Sequence, residues 1–104
     1  MMLSIRCYIH KMTYEIIVEP EAVEDLQNIF EYIKKQDSQY KATNFLNELK
    51  KKIASLNTMP MRCRKSLYVE QENTRDLIYK GYTIVYQVRD VSVNILAIFR
   101  QKAF

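Results

Sequence analysis

Two apolar stripes, separated by a short polar joint, constrain the fold of this chain more than any other feature. In residues 21–36 and again in residues 39–57, apolar side chains recur at spacings of three and four, which predicts two amphipathic helices. Asp37 or Ser38 is expected to cap the second helix. Because the joint is short, the helices should fold back as an antiparallel hairpin. The stripe residues are Val23, Leu26, Phe30 and Ile33 in the first helix, and Ala42, Phe45, Leu46, Leu49, Ile53 and Leu56 in the second.

Each helix has a single apolar stripe, so the pair needs a sheet to cover, and the rest of the chain supplies β-branched and aromatic segments for one. Gly81 stands between two of these segments, where a turn with positive φ needs glycine. The predicted class is α+β: an N-terminal strand, an antiparallel two-helix hairpin, and an antiparallel meander sheet of three to four strands, with the first strand at an edge or beside the centre. The predicted strands are residues 14–19, 66–69, 75–79, 82–89 and 93–99, with a polar turn at 89–92.

The length of 104 residues fits one domain. Residues 1–11 match no periodicity, so we interpret them as an N-terminal extension, dispensable for folding, before a domain at 12–104. No apolar run approaches a membrane span, and the start of the chain lacks the apolar core of a signal peptide. Cys7 and Cys63 do not have the spacing of a redox or zinc site. These observations predict a cytoplasmic protein with reduced thiols, no membrane association, no metal and no cofactor.

The charge of the chain is unevenly distributed. Residues 12–57 carry six Lys and eight acidic residues, whereas residues 58–104 carry eight Lys or Arg and four acidic residues. The C-terminal half is therefore the part expected to meet an anionic partner.

Four segments, in this order, resemble the toxins of the RelE/ParE superfamily. They are VEPEAVEDLQNIFEYI, KATNFLNELKKKIASLNTMP, TRDLIYKGYTIVYQV and VNILAIFRQKAF. The likeness covers roughly residues 12–102 and is greatest to the ParE (plasmid stabilisation) branch. It implies a RelE/ParE-like fold and a growth-inhibiting toxin of a bacterial type II toxin–antitoxin system. It also implies a cognate antitoxin that folds on this chain, neutralises it and forms a hetero-oligomer with it.

The resemblance leaves two activities open, because ParE-like members bind DNA gyrase whereas RelE-like members cut mRNA inside the ribosome. RNA cleavage needs a base, an acid and cations around one phosphate. The only histidine is His10, outside the family-like region, and Ile78 stands where RelE-like chains often carry an arginine. Too few residues follow the last predicted strand to form a helix with a catalytic tyrosine. The sequence therefore favours a gyrase-binding protein over an enzyme, with a ribosome-dependent endoribonuclease and a non-toxic antitoxin-binding remnant as alternatives.

The candidate site residues come mostly from the basic C-terminal half. Tyr32, Tyr82 and Tyr86 are expected to pack rather than to react. If the protein is a nuclease, the candidate catalytic residues are Arg62, Arg75, Tyr79, Lys80 and Arg100. The candidate target-binding residues are Arg64, Lys65, Arg75, Arg100, Lys102 and Phe104.

Overall fold

The computed structural model describes residues 13–58, 60–67 and 73–100. The N-terminal extension, Lys102 and Phe104 therefore lie outside the described residues. The elements are β1 (Glu15–Val18), α1 (Pro20–Gln36), α2 (Gln39–Ala54), two 3₁₀ turns (Ser55–Asn57 and Pro60–Arg62), β2 (Arg64–Lys65), β3 (Thr74–Tyr79), β4 (Tyr82–Val88) and β5 (Ser92–Arg100).

The helical hairpin forms as its sequence predicts. Pro20 is the first residue of α1, where its missing N–H costs no hydrogen bond. Ser38 caps α2 by accepting a hydrogen bond from the backbone N–H of Lys41 at 3.1 Å. Asp37 forms an ion pair with Lys41 at 3.2 Å across the same joint. These local interactions end one helix and begin the next within two residues, which confirms the antiparallel arrangement.

The sheet has five strands in the order β1-β5-β4-β3-β2. The four strands of the C-terminal half are antiparallel, as predicted, whereas β1 pairs with β5 in parallel at the sheet edge. The mixed sheet and the two helices confirm the α+β class. A bulge between Val85 and Tyr86 shifts the register of β4 against β5 and leaves Leu96 as the extra residue.

Of the predicted strand at residues 66–69, residues 68–69 lie outside the described residues, and residues 66–67 do not belong to a strand. The strand in this region is β2, which pairs with β3 through Arg64 and Lys65. Ser66 only extends the pairing, because its backbone N–H donates to the carbonyl of Thr74 at 2.9 Å. A two-residue edge strand of exposed basic side chains gives no apolar alternation, so its sequence carried no strand pattern.

Both predicted turns are present. Lys80 and Gly81 have φ angles of 48° and 85°, and they join β3 to β4 in a two-residue loop. Two successive positive φ values are typical of the tight turn whose twist suits a β-hairpin. At the next turn the backbone N–H of Arg89 donates to the carbonyl of Ser92 at 2.8 Å.

The core lies between the helical hairpin and one face of the sheet. Of the five helix residues expected there, Leu26, Leu49 and Ile53 are buried, while Ile33 and Phe45 are half-buried at its margin. The sheet contributes the alternating side chains of β4 and β5: Tyr82, Ile84, Tyr86, Val93, Ile95 and Ile98. Tyr82 and Tyr86 are thus core residues, as predicted, and the Tyr86 hydroxyl donates a hydrogen bond to the carbonyl of Pro60.

The buried stripe of α1 is rotated from the predicted one. Ala22, Leu26 and Ile29 face the core, whereas Val23 is 42% exposed. Ala22 is fully buried, so the side of α1 that carries this small side chain faces the sheet. Val23 is therefore available for a surface role.

Candidate functional site

One end of the molecule gathers aromatic and basic side chains from both layers. Here the β3–β4 turn lies beside the N-terminal half of α2, and the Phe45 ring lies 6.1 Å from the Tyr79 ring and 5.3 Å from the Tyr82 ring, centroid to centroid. Tyr82 also pairs with Arg100 across the sheet, so the end of β5 reaches the same region. We call this surface the basic–aromatic end; its residues are Tyr32, Phe45, Glu48, Lys52, Tyr79, Lys80, Tyr82 and Arg100.

Glu48 organises the exposed part of the basic–aromatic end. Its Oε1 accepts a hydrogen bond from the Tyr79 hydroxyl at 2.6 Å and an ion-paired hydrogen bond from Lys80 Nζ at 3.0 Å. Lys52 and Lys80 each place Nζ 5.4 Å from the centroid of the Tyr79 ring. The phenol ring is therefore held beside two ammonium groups, one of which a carboxylate neutralises.

These contacts fix the protonation states of the cluster. Hydrogen bonds from Tyr79 and Lys80 lower the pKa of Glu48, so it is a carboxylate at neutral pH. The hydrogen bond to Glu48 raises the pKa of Tyr79 and likewise that of Lys80. The phenol and the ammonium thus keep their protons, and neither is prepared to act as a general base.

Arg100 is held against α1 at the other side of this end. Its Nη1 donates to the hydroxyl of Tyr32 at 3.1 Å, and its guanidinium carbon lies 5.7 Å from the centroid of the Tyr32 ring. Tyr32 is 47% exposed, so it packs at the surface rather than in the core. Its ring instead supports a cation at the surface, because a guanidinium binds to an aromatic face even when partly solvated.

Arg64, Lys65 and Arg75 lie near the start of β3, at the end of this strand opposite to Tyr79. Arg64 Nη2 is 3.6 Å from Oδ2 of Asp76, which is 2% exposed and also accepts from the backbone N–H of Leu67 at 3.0 Å. Lys65 pairs with Arg75 at the start of β3. Arg75 is separated from Tyr79 along this strand by about 13 Å, from the rise of an extended chain.

The candidate catalytic set is therefore divided. Tyr79, Lys80 and Arg100 lie at the basic–aromatic end, and Arg75 lies apart from them. Arg62 belongs to the second 3₁₀ turn. The sequence did not indicate Glu48, Lys52 or Tyr32, which complete the basic–aromatic end from the helices.

A second candidate site is an apolar groove between α1 and α2, with a volume of about 580 Å³. Leu26 and Leu46 form its inner part, and Val23 is its exposed apolar wall. The complete lining is Val18, Val23, Leu26, Gln27, Phe30, Glu31, Leu46 and Lys50. We call this surface the hairpin groove, and it corresponds to the groove that an amphipathic helix of a partner would need.

The two edges of the sheet are protected differently. Strand β5 pairs with β1 only as far as Ile95. Beyond that point helix α1 covers the edge of β5, because Asp25 Oδ2 accepts a hydrogen bond from the backbone N–H of Ile98 at 2.9 Å. At the other edge, β2 pairs only with Arg75 and Asp76, and within the described part of the chain no strand pairs with the outer side of Ile78. Ile78 is 39% exposed, so this short edge is open to an added strand.

The part of the chain that the structure describes contains no group of three or more His, Cys, Asp or Glu side chains placed to hold a metal ion. None of its helices combines the length and the apolar character that crossing a membrane requires.

Comparison with known proteins identifies the family. Residues 16–103 match the model of the ParE toxin of the type II toxin–antitoxin system parDE. No curated protein matches the sequence. The structure is similar to the chromosomal ParDE toxin–antitoxin system from P. aeruginosa, with 16% identity and a TM-score of 0.75 over 88% of this chain and 99% of that chain. It is also similar to the toxin–antitoxin complex RelBE2 from Mycobacterium tuberculosis, with 21% identity and a TM-score of 0.56 over 86% of this chain and 93% of that chain.

At these identities the two solved structures show a shared fold, whereas the family model spans most of the sequence. The predicted RelE/ParE superfamily and its ParE branch are thereby confirmed. The chain belongs to the ParE family of toxins of type II toxin–antitoxin systems.

Proposed function

We propose that this toxin inhibits growth by binding DNA gyrase in the cytoplasm and that a cognate antitoxin neutralises it. The observation that carries the proposal is the engagement of Tyr79 and Lys80 by Glu48. A nuclease needs a base, an acid and cations around a single phosphate. The raised pKa values of Tyr79 and Lys80 favour their protonated forms, so neither group supplies the base, and Arg75 lies far from them, which supports a binding surface rather than a reaction centre.

The proposed target-binding surface comprises the basic–aromatic end and, near the start of β3, the candidate cations Arg64, Lys65 and Arg75. Arg100 and Lys52 supply exposed positive charge beside the rings of Tyr32 and Tyr79. Aromatic and arginine side chains are the residue types that contribute most to protein interfaces, since they bury a large area with few rotamers. Lys102 and Phe104 follow β5 in the sequence, and we include them in the proposed surface.

Additivity of substitutions distinguishes binding from catalysis. Arg75→Ala and Arg100→Ala are each expected to weaken gyrase inhibition partly, and the double variant roughly by the sum, because the two sites are separated. Arg89→Ala is the matched control: Arg89 is exposed at the β4–β5 turn and interacts with Gln87, away from the basic–aromatic end. Inhibition of DNA supercoiling by the purified protein measures the effect.

A ribosome-dependent mRNA cleavage assay with the same variants tests the alternative. Residues of one catalytic unit are strongly non-additive. If Arg75→Ala alone abolished activity as completely as the double variant, and mRNA were cleaved, the binding proposal would be contradicted and an endoribonuclease would replace it. A chain that binds the antitoxin but inhibits neither process would be a non-toxic remnant.

The antitoxin is proposed to dock through a segment that folds on this surface. The hairpin groove offers an apolar site for a helix, and the open edge at Ile78 offers backbone groups for a strand. Co-expression with the product of the adjacent gene should yield a stable hetero-oligomer on size-exclusion chromatography. Failure of the two chains to co-purify would contradict this part of the proposal.

We also propose that residues 12–104 form a single toxin domain. The family match begins at residue 16, which supports treating residues 1–11 as an extension. Their deletion is expected to leave the melting temperature unchanged, because a segment without a core of its own contributes little burial. A loss of several degrees on deletion would show that they are part of the fold.

A further inference from the structure

The shape of the hairpin groove indicates which secondary-structure element of a partner can bind in it. Its α1 wall runs from Val23 to Glu31, a distance of about 12 Å along the helix axis. Apart from Val18 of β1, the lining comes from two α-helices, whose backbone groups are already hydrogen-bonded within each helix. A strand would find few backbone partners there, whereas a helix needs only side-chain contacts. A helix of about two turns therefore matches the groove in length and chemistry.

The apolar lining matches one face of such a helix. Leu26, Phe30 and Leu46 are partly or fully buried along the groove, and Val23 extends the apolar surface outward. The volume of about 580 Å³ accommodates a few large side chains. A docked helix presents that number at positions i, i+3 or i+4, and i+7.

Opposite charges lie at separate positions along the groove. Glu31 is in the C-terminal half of α1 and Lys50 is in the C-terminal half of α2. Because the two helices are antiparallel, Glu31 lies toward the hairpin joint and Lys50 lies farther from it. Neither forms an ion pair with another described residue, in contrast to Asp37 with Lys41 and Glu48 with Lys80. Both are therefore available to a partner.

We infer that Glu31 and Lys50 determine which antitoxin helix binds in the hairpin groove and in which direction. The inference rests on the proposed antitoxin partnership. The docking helix carries an apolar face for the groove, a basic side chain that meets Glu31, and an acidic side chain that meets Lys50. Reversing the helix would place like charges together at both positions, which disfavours the wrong direction and the wrong partner.

Charge reversal at either position tests this assignment. Lys50→Glu and Glu31→Lys should each weaken binding of the purified cognate antitoxin by about five- to tenfold, because an attractive contact becomes repulsive. Lys51→Glu is the matched control: Lys51 is an exposed lysine on the same helix that does not line the groove, and its substitution should change the dissociation constant by less than about twofold. Circular dichroism should show equal folding of all three variants.

Compensation identifies the facing residue on the antitoxin. Replacing the acidic residues of its docking helix by lysine, one at a time, should restore binding to Lys50→Glu at one position. The same replacement should weaken binding to Lys51→Glu, which retains Lys50. If wild type, Lys50→Glu and Glu31→Lys bound the antitoxin equally well, the inference would be wrong while the proposed partnership stood. If the antitoxin did not bind the wild-type chain at all, the partnership and the inference would both fail.

Self-association is the remaining occupant to exclude. Sedimentation of the isolated wild-type toxin should give a molecular mass that does not depend on Lys50. A dimer that Lys50→Glu dissociates would assign the groove to a second copy of this chain and would overturn the inference.

Discussion

Replacing Asp25 with alanine tests how helix α1 closes the outer edge of β5. The Asp25 carboxylate accepts the backbone N–H of Ile98 at 2.9 Å, in a partly buried position beyond the last residue that pairs with β1. The carboxylate thus takes the place that a neighbouring strand's carbonyl would occupy. Alanine removes the acceptor and leaves this N–H without a partner in a region that water reaches poorly.

The expected size of the effect follows from that loss. An unsatisfied, partly buried N–H lowers the free energy of unfolding by about 1–3 kcal/mol. Asp25→Asn retains an oxygen acceptor but loses the charge, so its cost should be smaller, about 0.5–1.5 kcal/mol. Glu24→Ala is the control, since Glu24 is the exposed neighbour on the same turn. Its effect should stay within about 0.5 kcal/mol.

Urea denaturation of the purified proteins, followed by circular dichroism, measures these differences, with equal m-values as the check that the unfolded states are comparable. Equal stabilities for Asp25→Ala and Glu24→Ala would refute the role of the bond to Ile98. A loss for Asp25→Asn as large as for Asp25→Ala would show that negative charge near the start of α1 carries the effect instead.

Three other predictions concern the core, one turn and the ion-paired cluster. Leu49→Ala should lower the free energy of unfolding by about 2–5 kcal/mol in the same assay, because Leu49 is fully buried. Gly81→Ala should cost about 1–2 kcal/mol, since the added methyl meets no atom but φ is +85°; an unchanged midpoint would contradict this. Glu48 has a lowered pKa, so its contribution is present above its ordinary pKa of 4.5 and is lost as pH falls through the folded value. Tyr79 and Lys80 have raised pKa values, so their contribution to the free energy of unfolding is lost as pH rises beyond 10. Glu48→Gln should therefore make the free energy of unfolding depend less on pH at both extremes.

The helices and their hairpin could be predicted because the apolar spacing, the capping residue and the short connection between the helices are local properties of the sequence. The direction of β1 could not be read from its own residues, because parallel pairing with β5 depends on the path of the chain between them. The position of β2 was missed because Arg64 and Lys65 carry no apolar pattern. Val23 was placed in the core because it fits the same spacing as Leu26, although only contact with the sheet decides which side of a stripe is buried.

The candidate site was predictable in its basic members and not in their partners. Tyr79, Lys80 and Arg100 occupy positions that the family resemblance indicates. Glu48 bonds Tyr79 across 31 residues of sequence, and Tyr32 bonds Arg100 across 68. No spacing rule relates residues so far apart, so the neutralisation of Lys80 and the support beneath Arg100 emerge only from the tertiary structure.

The position of β5 in the sheet has a consequence for synthesis of the protein. This strand is the last of the described strands along the chain, yet it lies between β1 and β4, and Glu15 pairs with Ser92. While the ribosome is still translating, β1 and the helical hairpin emerge without the strand that joins them to the sheet, and their apolar faces remain uncovered. Such non-local pairing makes folding late and cooperative. A chain released before β5 is complete should therefore be an unfolded polypeptide, so the folded state depends on translation through β5.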